Sequence, residues 1–397
     1  VPERLVTLVL CTPSGELLGA LPAVPVPSPE WRRVDDVVTA AREHFGVDVR
    51  VLRLLSSTGP PFPGGGPVSY LAETTDPPPV HLRPWPGDPP AEHPLRMHYA
   101  RPGGHDADLS WAQDVLAARG TPTTGAPQQV RTWNLSSIWR LPTVTGAAWL
   151  KVVPPFFAHE GALLPLLDPT VVPPVLGAEP GRVLLAEVPG EDQYDATGQT
   201  LLDMVRLLVR LQAAWVGRTE GLIALGVPDL RPAALVPRIT AVTERLRGEL
   251  ADDERRALDA LVNGLPRRFG AIEACGVPDT LVHGDFHPGN LRGGAGRLVI
   301  LDWGDSGIGH PMIDQLAFCR RLTPADRAAA VRVWAQEWSR IVPGSDATRS
   351  AALLKPVAAL NAAVTYQRFL DTIEPAERPY HEGDPVRELG AALSAVR

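Results

Sequence analysis

Short alternating apolar runs separated by Pro- and Gly-rich turns fill the first part of the chain, and helical spacing takes over after Thr200. Leu5 to Leu10 reads as a strand, Pro13-Ser14-Gly15-Glu16 as a turn and Leu17 to Ala20 as a second strand. Trp31, Val34, Val38, Ala41 and Phe45 share one face of a helix expected over 31–45, with Gly46 at its C′ position. Val47 to Leu55 and Val68 to Glu73 complete a small α+β unit over residues 1–75. The passage from Asp76 to Pro94 is so rich in proline that it should run extended as a semi-rigid linker, with few contacts crossing it.

Beyond the linker, Asp106 to Arg119 has the pattern of a helix. Gln129 to Trp133, Ile138 to Leu141 and Ala148 to Val153 should pair as an antiparallel sheet. Leu201, Met204, Val205, Leu208, Leu211 and Gln212 form a mostly apolar stripe, read as helical core, and further helices are expected over 253–265, 266–275 and 323–397. Near the end, Asp371, Glu374, Glu377, Glu382 and Asp384 give an acidic balance, either a solvated helix end or the lining of a site for an amine.

One stretch breaks the helical run. Leu281 to Asp314, LVHGDFHPGNLRGGAGRLVILDWGDSGIGHPMID, holds two apolar strands around the turn Gly293-Gly294-Ala295-Gly296. That hairpin puts Asn290 and Asp302 at its two feet, and adjacent strands lie about 4.8 Å apart, so both side chains can reach one cation. Phosphoryl transfer needs a carboxylate to orient an acceptor hydroxyl and oxygen ligands for magnesium. His283-Gly284-Asp285 followed by Asn290 and by Asp302-Trp303-Gly304 supplies that set, with Asp285 as base and Asn290 and Asp302 as metal ligands.

On these residues the chain resembles the aminoglycoside phosphotransferase and choline kinase family, distantly similar to protein kinases, over about three quarters of its length. The resemblance implies a bilobal, protein-kinase-like α+β fold with a β-rich N-lobe over 95–189 and a helical C-lobe over 190–397. It implies Mg·ATP as phosphoryl donor, a small-molecule hydroxyl as acceptor, and bracing of the catalytic loop by His283 and Asp314. Gly284 stands where protein kinases carry the Arg of H-R-D, and Gly309-His310-Pro311 follows Gly304 too closely for an activation segment. The acceptor is therefore expected to be a small molecule, an aminoglycoside-type antibiotic or an aminosugar or amino alcohol.

Lysine usage singles out another residue. Lys plus Arg total 38, yet lysine occurs only at Lys151 and Lys355. Lys151 sits in an apolar strand, where an ammonium needs a partner. Glu160 opens an E-x-x-L-L segment like the family's, so the pair is expected to hold Lys151 on the α/β-phosphates. No G-x-G-x-x-G is present; Ser136 and Ser137, in the first turn of the sheet, are the candidates for phosphate contact. Backbone groups near Glu187 and Val188, in a segment that looks like the inter-lobe hinge, would meet adenine.

The order of elements in residues 1–75 looks like a Nudix fold, and Glu43 to Val47 can be laid on the end of that family's box. Ala40 and His44 stand where acids are needed, so a scaffold without hydrolase activity is expected. The net charge of −7 argues against nucleic acid or an anionic membrane as partner. Cys11, Cys275 and Cys319 lack metal-ligand spacing, and no apolar run has membrane-spanning length, which together lead us to expect a cytoplasmic protein. From another class, the chain could be a nucleotide-binding regulatory protein that uses its N-terminal domain to bind a partner.

Overall fold

The computed structural model describes residues 3–59, 64–87, 92–294 and 296–396, so part of the linker, Ala295 of the Gly-rich turn and Val1 lie outside the described residues. The chain divides into two compact units. The first comprises residues 1–156, 175–187 and 369–382, and the second 157–174, 188–368 and 383–397.

In the first unit, β1 (Arg4–Cys11), β2 (Leu17–Ala20), β3 (Val24–Val26), β4 (Arg50–Ser57) and β5 (Gly66–Glu73) form a sheet in the order β2-β1-β5-β4, with β3 also on β1. β1 and β5 run parallel, Val6 opposite Val68. Alternation along β1 sends Val6, Leu8 and Leu10 into a core with Val37 and Ala41, while Val9 and Cys11 enter a second cluster with Leu52 and Leu71. Val37 and Ala41 belong to helix α1 (Asp35–Phe45), which ends at Gly46 in the left-handed conformation, φ 67°. The helix starts four residues later than the spacing predicts. Trp31 lies before it, its carbonyl accepting the Tyr70 hydroxyl, and that ring anchors a cluster described below.

Helix α2 (Asp106–Ala118) packs on a second sheet made of β6 (Gln128–Trp133), β7 (Ser136–Thr143), β8 (Gly146–Val152), β9 (Val175–Glu179) and β10 (Arg182–Ala186). Its order is β6-β7-β8-β10-β9, antiparallel throughout, with Leu109, Leu116, Leu141, Leu150 and Leu184 in the shared core.

The two sheets are tied together within this unit, contrary to the expectation that little crosses 76–94. Gln129 meets both backbone groups of Val51, at 2.8 and 2.7 Å, and Arg53 donates to the Ala100 carbonyl at 2.8 Å. The Gly103 N–H donates to Glu73 at 2.6 Å. The acidic C-terminal passage also contributes here. Glu374 pairs with buried Arg96 at 2.8 Å, and Glu377 is buried, so neither lines an acceptor site nor ends a solvated helix.

The second unit is mainly helical: α3 (His159–Leu163), α4 (Gln199–Trp215), α5 (Glu220–Ile223), α6 (Pro232–Leu246), α7 (Asp252–Asn263) and α8 (Leu265–Glu273) precede the catalytic stretch, with the short strand β11 (Glu191–Asp192) before α4. That stretch contains β12 (Thr280–Val282), β13 (Leu291–Gly294), β14 (Arg297–Ile300) and β15 (Gly307–Gly309). α9 (Met312–Cys319), α10 (Pro324–Ile341), α11 (Ala347–Thr372) and α12 (Asp384–Ser394) follow, the last turn of α11 counting with the first unit. Among the described residues no helix is long and apolar enough to cross a membrane.

Candidate active site

The site is built outward from β12, which pairs with β15 so that Val282 faces Gly307. The chain leaves β12 at His283, whose imidazole is fully buried with Nε2 2.9 Å from the Leu301 carbonyl. A carbonyl only accepts, so Nε2 carries the proton; burial lowers this pKa and keeps the ring neutral. The ring packs on Trp303 at 4.8 Å between centroids, which locks its orientation.

Gly284 follows at φ 86°, and a Cβ there would lie 2.0 Å from the Asp305 carbonyl oxygen. This close approach accounts for glycine where protein kinases carry Arg. The Gly284 and His283 N–H groups both donate to fully buried Asp314, each at 2.8 Å, and Gln212 of α4 donates to the same carboxylate at 2.8 Å. Burial pushes the Asp314 carboxyl up to about 7, against the pull of these donors. The start of the loop is thus fixed through its backbone.

Asp285, exposed, comes next. The Asn290 Nδ2 donates to the Asp285 carbonyl at 2.9 Å, and it lies 3.4 Å from the Asp285 carboxylate. His287 accepts the Gly289 N–H on Nδ1 at 3.0 Å, so its neutral form carries the proton on Nε2. That nitrogen is 3.5 Å from Asp285 Oδ2. Two donors therefore border the carboxylate from within its own loop.

The hairpin then returns the chain. Leu291 faces Ile300, and the Leu301 N–H donates to the Asn290 carbonyl at 2.8 Å, so Asp302 lies one residue past the partner of Asn290. Asp302 adopts φ 61°, the only non-glycine residue at positive φ among the described residues. Such a conformation costs roughly 1–3 kcal/mol and is kept where surrounding structure enforces it. The enforcing contacts are visible: buried Glu160 of α3 accepts the Trp303 N–H at 3.0 Å, and its neighbour His159 meets Ser306 at 3.1 Å. The Asn290 amide nitrogen is spent on Asp285, which leaves its oxygen as the atom that could meet a cation. With the Asp302 carboxylate, this is a hard-oxygen donor set of the kind magnesium takes.

His283, Asp285, Asn290, Asp302, Asp314 and Glu160 thus converge in the second unit. Lys151 lies on β8 in the first unit, between Ile138 and Val183 in register. The units divide between Glu187 and Val188, the residues read as a hinge. The Glu187 N–H is given to Ala147, and the Val188 carbonyl accepts from Arg292 at 2.8 Å.

Ser136 and Ser137 do not offer their hydroxyls to a phosphate. Both are buried within β7, and their oxygens accept the indole N–H groups of Trp133 and Trp139, at 2.9 and 3.0 Å. The contacts of Gln212 with Asp314 and of His287 with Asp285 are not legible in the sequence. A polar residue in an otherwise apolar stripe was the signal for Gln212; for His287, which reads as no more than a loop residue, only its place two residues after Asp285 pointed to it.

Residues 138–353 match the phosphotransferase enzyme family (APH). A search of the curated proteins finds no match. Among solved structures, the apoenzyme of macrolide 2′-phosphotransferase MphH from Brachybacterium faecium superposes with a TM-score of 0.50 at 20% identity, over 70% of this chain and 97% of that one. Choline kinase from Cryptosporidium parvum Iowa II superposes with a TM-score of 0.51 at 10% identity, over 73% of this chain and 96% of that one. At these identities the likeness speaks for a mixed α+β, kinase-like fold.

Proposed function

The chain belongs to the phosphotransferase enzyme family and is a small-molecule phosphotransferase with a hydroxyl acceptor; from that premise we propose that it moves the γ-phosphoryl group of Mg·ATP to an aminoglycoside-type antibiotic, an aminosugar or an amino alcohol. The observation that carries this reading is the exposed Asp285 carboxylate on a loop pinned by Asp314, with Asn290 and Asp302 beside it on the hairpin.

In this mechanism the acceptor hydroxyl donates a hydrogen bond to Asp285. Its oxygen attacks the γ-phosphorus in line, the bond from that phosphorus to the β–γ bridging oxygen breaks, and the proton passes to Asp285. The products are ADP and the phosphate ester. Asn290 and Asp302 would hold magnesium, which when bound neutralises charge on the phosphates. The Asn290 and His287 donors keep the Asp285 carboxylate turned toward the acceptor. Lys151, paired with Glu160, would reach the α/β-phosphates, and backbone groups at Glu187 and Val188 would meet adenine.

We read the first sheet and α1 as a Nudix-like scaffold without hydrolase chemistry. Glu43 is exposed on α1 with Ala40 and His44 in place of further acids. The test is nucleotide consumption with ATP and GTP over a panel of aminoglycosides, macrolides, aminosugars and amino alcohols. Acceptor-dependent ADP release that Asp302→Ala weakens through magnesium affinity supports the reading; no acceptor-dependent release across the panel counts against it.

A further inference from the structure

The turn between β6 and β7 joins the first two strands of a sheet whose third strand carries Lys151. In a kinase-like sheet, that is the turn expected to cover the nucleotide phosphates. Here it is no open flap. Asn134 and Leu135 are 4% and 5% exposed. The Asn134 N–H, which a phosphate could otherwise take, donates to Glu377 Oε2 at 2.8 Å. The Trp133 carbonyl accepts the Tyr99 hydroxyl at 2.8 Å. Trp31, Tyr380 and His381 pack around the Trp133 ring at centroid distances of 6.1, 5.8 and 6.1 Å. The Arg32 guanidinium lies over both Trp133 and Tyr380, at 5.2 and 5.4 Å. The Arg96–Glu374 pair anchors the segment that brings Glu377 in.

We propose that Glu377 is a positioning residue for nucleotide binding, fixing the β6–β7 turn through the Asn134 N–H and making the N-terminal sheet and the 374–381 segment working parts of the nucleotide lobe. The inference rests on the nucleotide use proposed above. The turn acts as a strut: its position is set by Glu377 and the ring cluster, and phosphates meet a surface that is already ordered.

Charge gives a second handle. Burial holds the Glu377 carboxyl up at about 8, so it carries its proton at neutral pH. The groups facing it are Asn134 on the turn, Glu374 with its partner Arg96, and the fully buried phenols Tyr99 and Tyr70; Arg53 acts on Arg96 and Glu374 rather than on Glu377, and Arg32 lies over the Trp133 and Tyr380 rings. Released from the turn, the carboxyl would return to its ordinary value near 4.5, so the hold weakens as pH rises from about 4.5 to about 8 and is level above that.

The experiment compares wild type, Glu377→Gln and Glu377→Ala in the full chain. It reads steady-state kinetics in Mg·ATP at pH 5.5 to 9.5 and amide exchange of the peptide spanning residues 133–137. Glu377→Ala is expected to raise the KM for ATP about 10-fold with kcat held within about 3-fold, and to speed exchange of that peptide about 100-fold. Glu377→Gln should match wild type at pH 5.5 and lack the rise in KM that wild type shows from there up to about pH 8. An unchanged KM, a lower KM, or unchanged exchange in a folded Glu377→Ala protein overturns the proposal; a lower KM would mean that the carboxyl competes with phosphate. If wild type binds no nucleotide, the proposed function fails, while the exchange measurement still decides the positioning role.

Discussion

Replacing Asp314 by Asn changes one atom and should uncouple the catalytic loop from its brace. The carboxylate accepts three N–H groups: His283 and Gln212 on Oδ2, Gly284 on Oδ1. An amide offers one acceptor oxygen. With that oxygen toward His283 and Gln212, its NH₂ confronts the Gly284 N–H; flipped, it confronts the other two. At least one buried donor loses its partner, and a hydrogen bond to a charged group contributes about 1.5–3 kcal/mol. The stability loss should fall in that range, read as a shift of the denaturation midpoint at constant m-value. Gly284 cannot shift freely, because its left-handed backbone already lies against the Asp305 carbonyl. The strain therefore passes to Asp285, and displacement of a reacting group by about 1 Å costs on the order of 100-fold in rate. We expect kcat to fall about 10- to 100-fold with the KM for ATP little changed. Wild-type stability together with wild-type kcat would refute the bracing role.

Three further outcomes follow from the same geometry. The Asp314 pKa is raised, so its proton is held more tightly in the folded than in the unfolded state, and protonation as pH falls from about 7 toward 4 favours the fold. The O–H formed nevertheless faces an N–H donor, so log kcat should decline below pH 7 without loss of folded protein, and a pH–rate profile of Asp314→Asn should lack that limb. Lys151→Arg should lower kcat/KM for ATP at least ~10-fold, about 1.4 kcal/mol, whereas Lys355→Arg in the same assay should change little; equal tolerance would remove Lys151 from the phosphate site. Residues 95–397 expressed alone should melt roughly 10 °C or more below the full chain, since Gln129 and the Ala100 carbonyl lose their buried partners Val51 and Arg53, each unpaired group costing about 1–3 kcal/mol. An unshifted melting curve would show that these contacts contribute nothing.

The catalytic stretch could be read in the sequence because its chemistry is local: Asp285, Asn290 and Asp302 lie within one hairpin and its approach, where spacing alone sets geometry. Lys151 stood out because lysine is so rare here. The bracing was harder to see. Gln212 lies 102 residues from Asp314, and nothing in a helical stripe says that its one amide will meet a buried carboxylate. Ser136 and Ser137 are not legible in the same way, because a polar pair beside a turn looks solvated, yet each is buried and its oxygen accepts a tryptophan indole N–H. Glu374 and Glu377 are hidden for the same reason: an acidic run reads as surface until Arg96 and the Asn134 N–H supply distant partners. The late start of α1 has a cause far along the chain. The Val34 N–H donates to Val130 and the Arg32 carbonyl accepts from Thr132, so the chain before Asp35 is committed to the second sheet.

The most direct test is phosphoryl transfer by Asp285→Asn, measured with γ-labelled ATP and an acceptor taken from the panel, alongside Mg·ATP binding by calorimetry. The substitution keeps size and removes the base, so transfer should fall by about 10² to 10⁴ while ATP affinity stays within about 2-fold of wild type. Transfer at the wild-type rate, by a variant that binds ATP normally, would contradict the assignment of Asp285 and with it the active site.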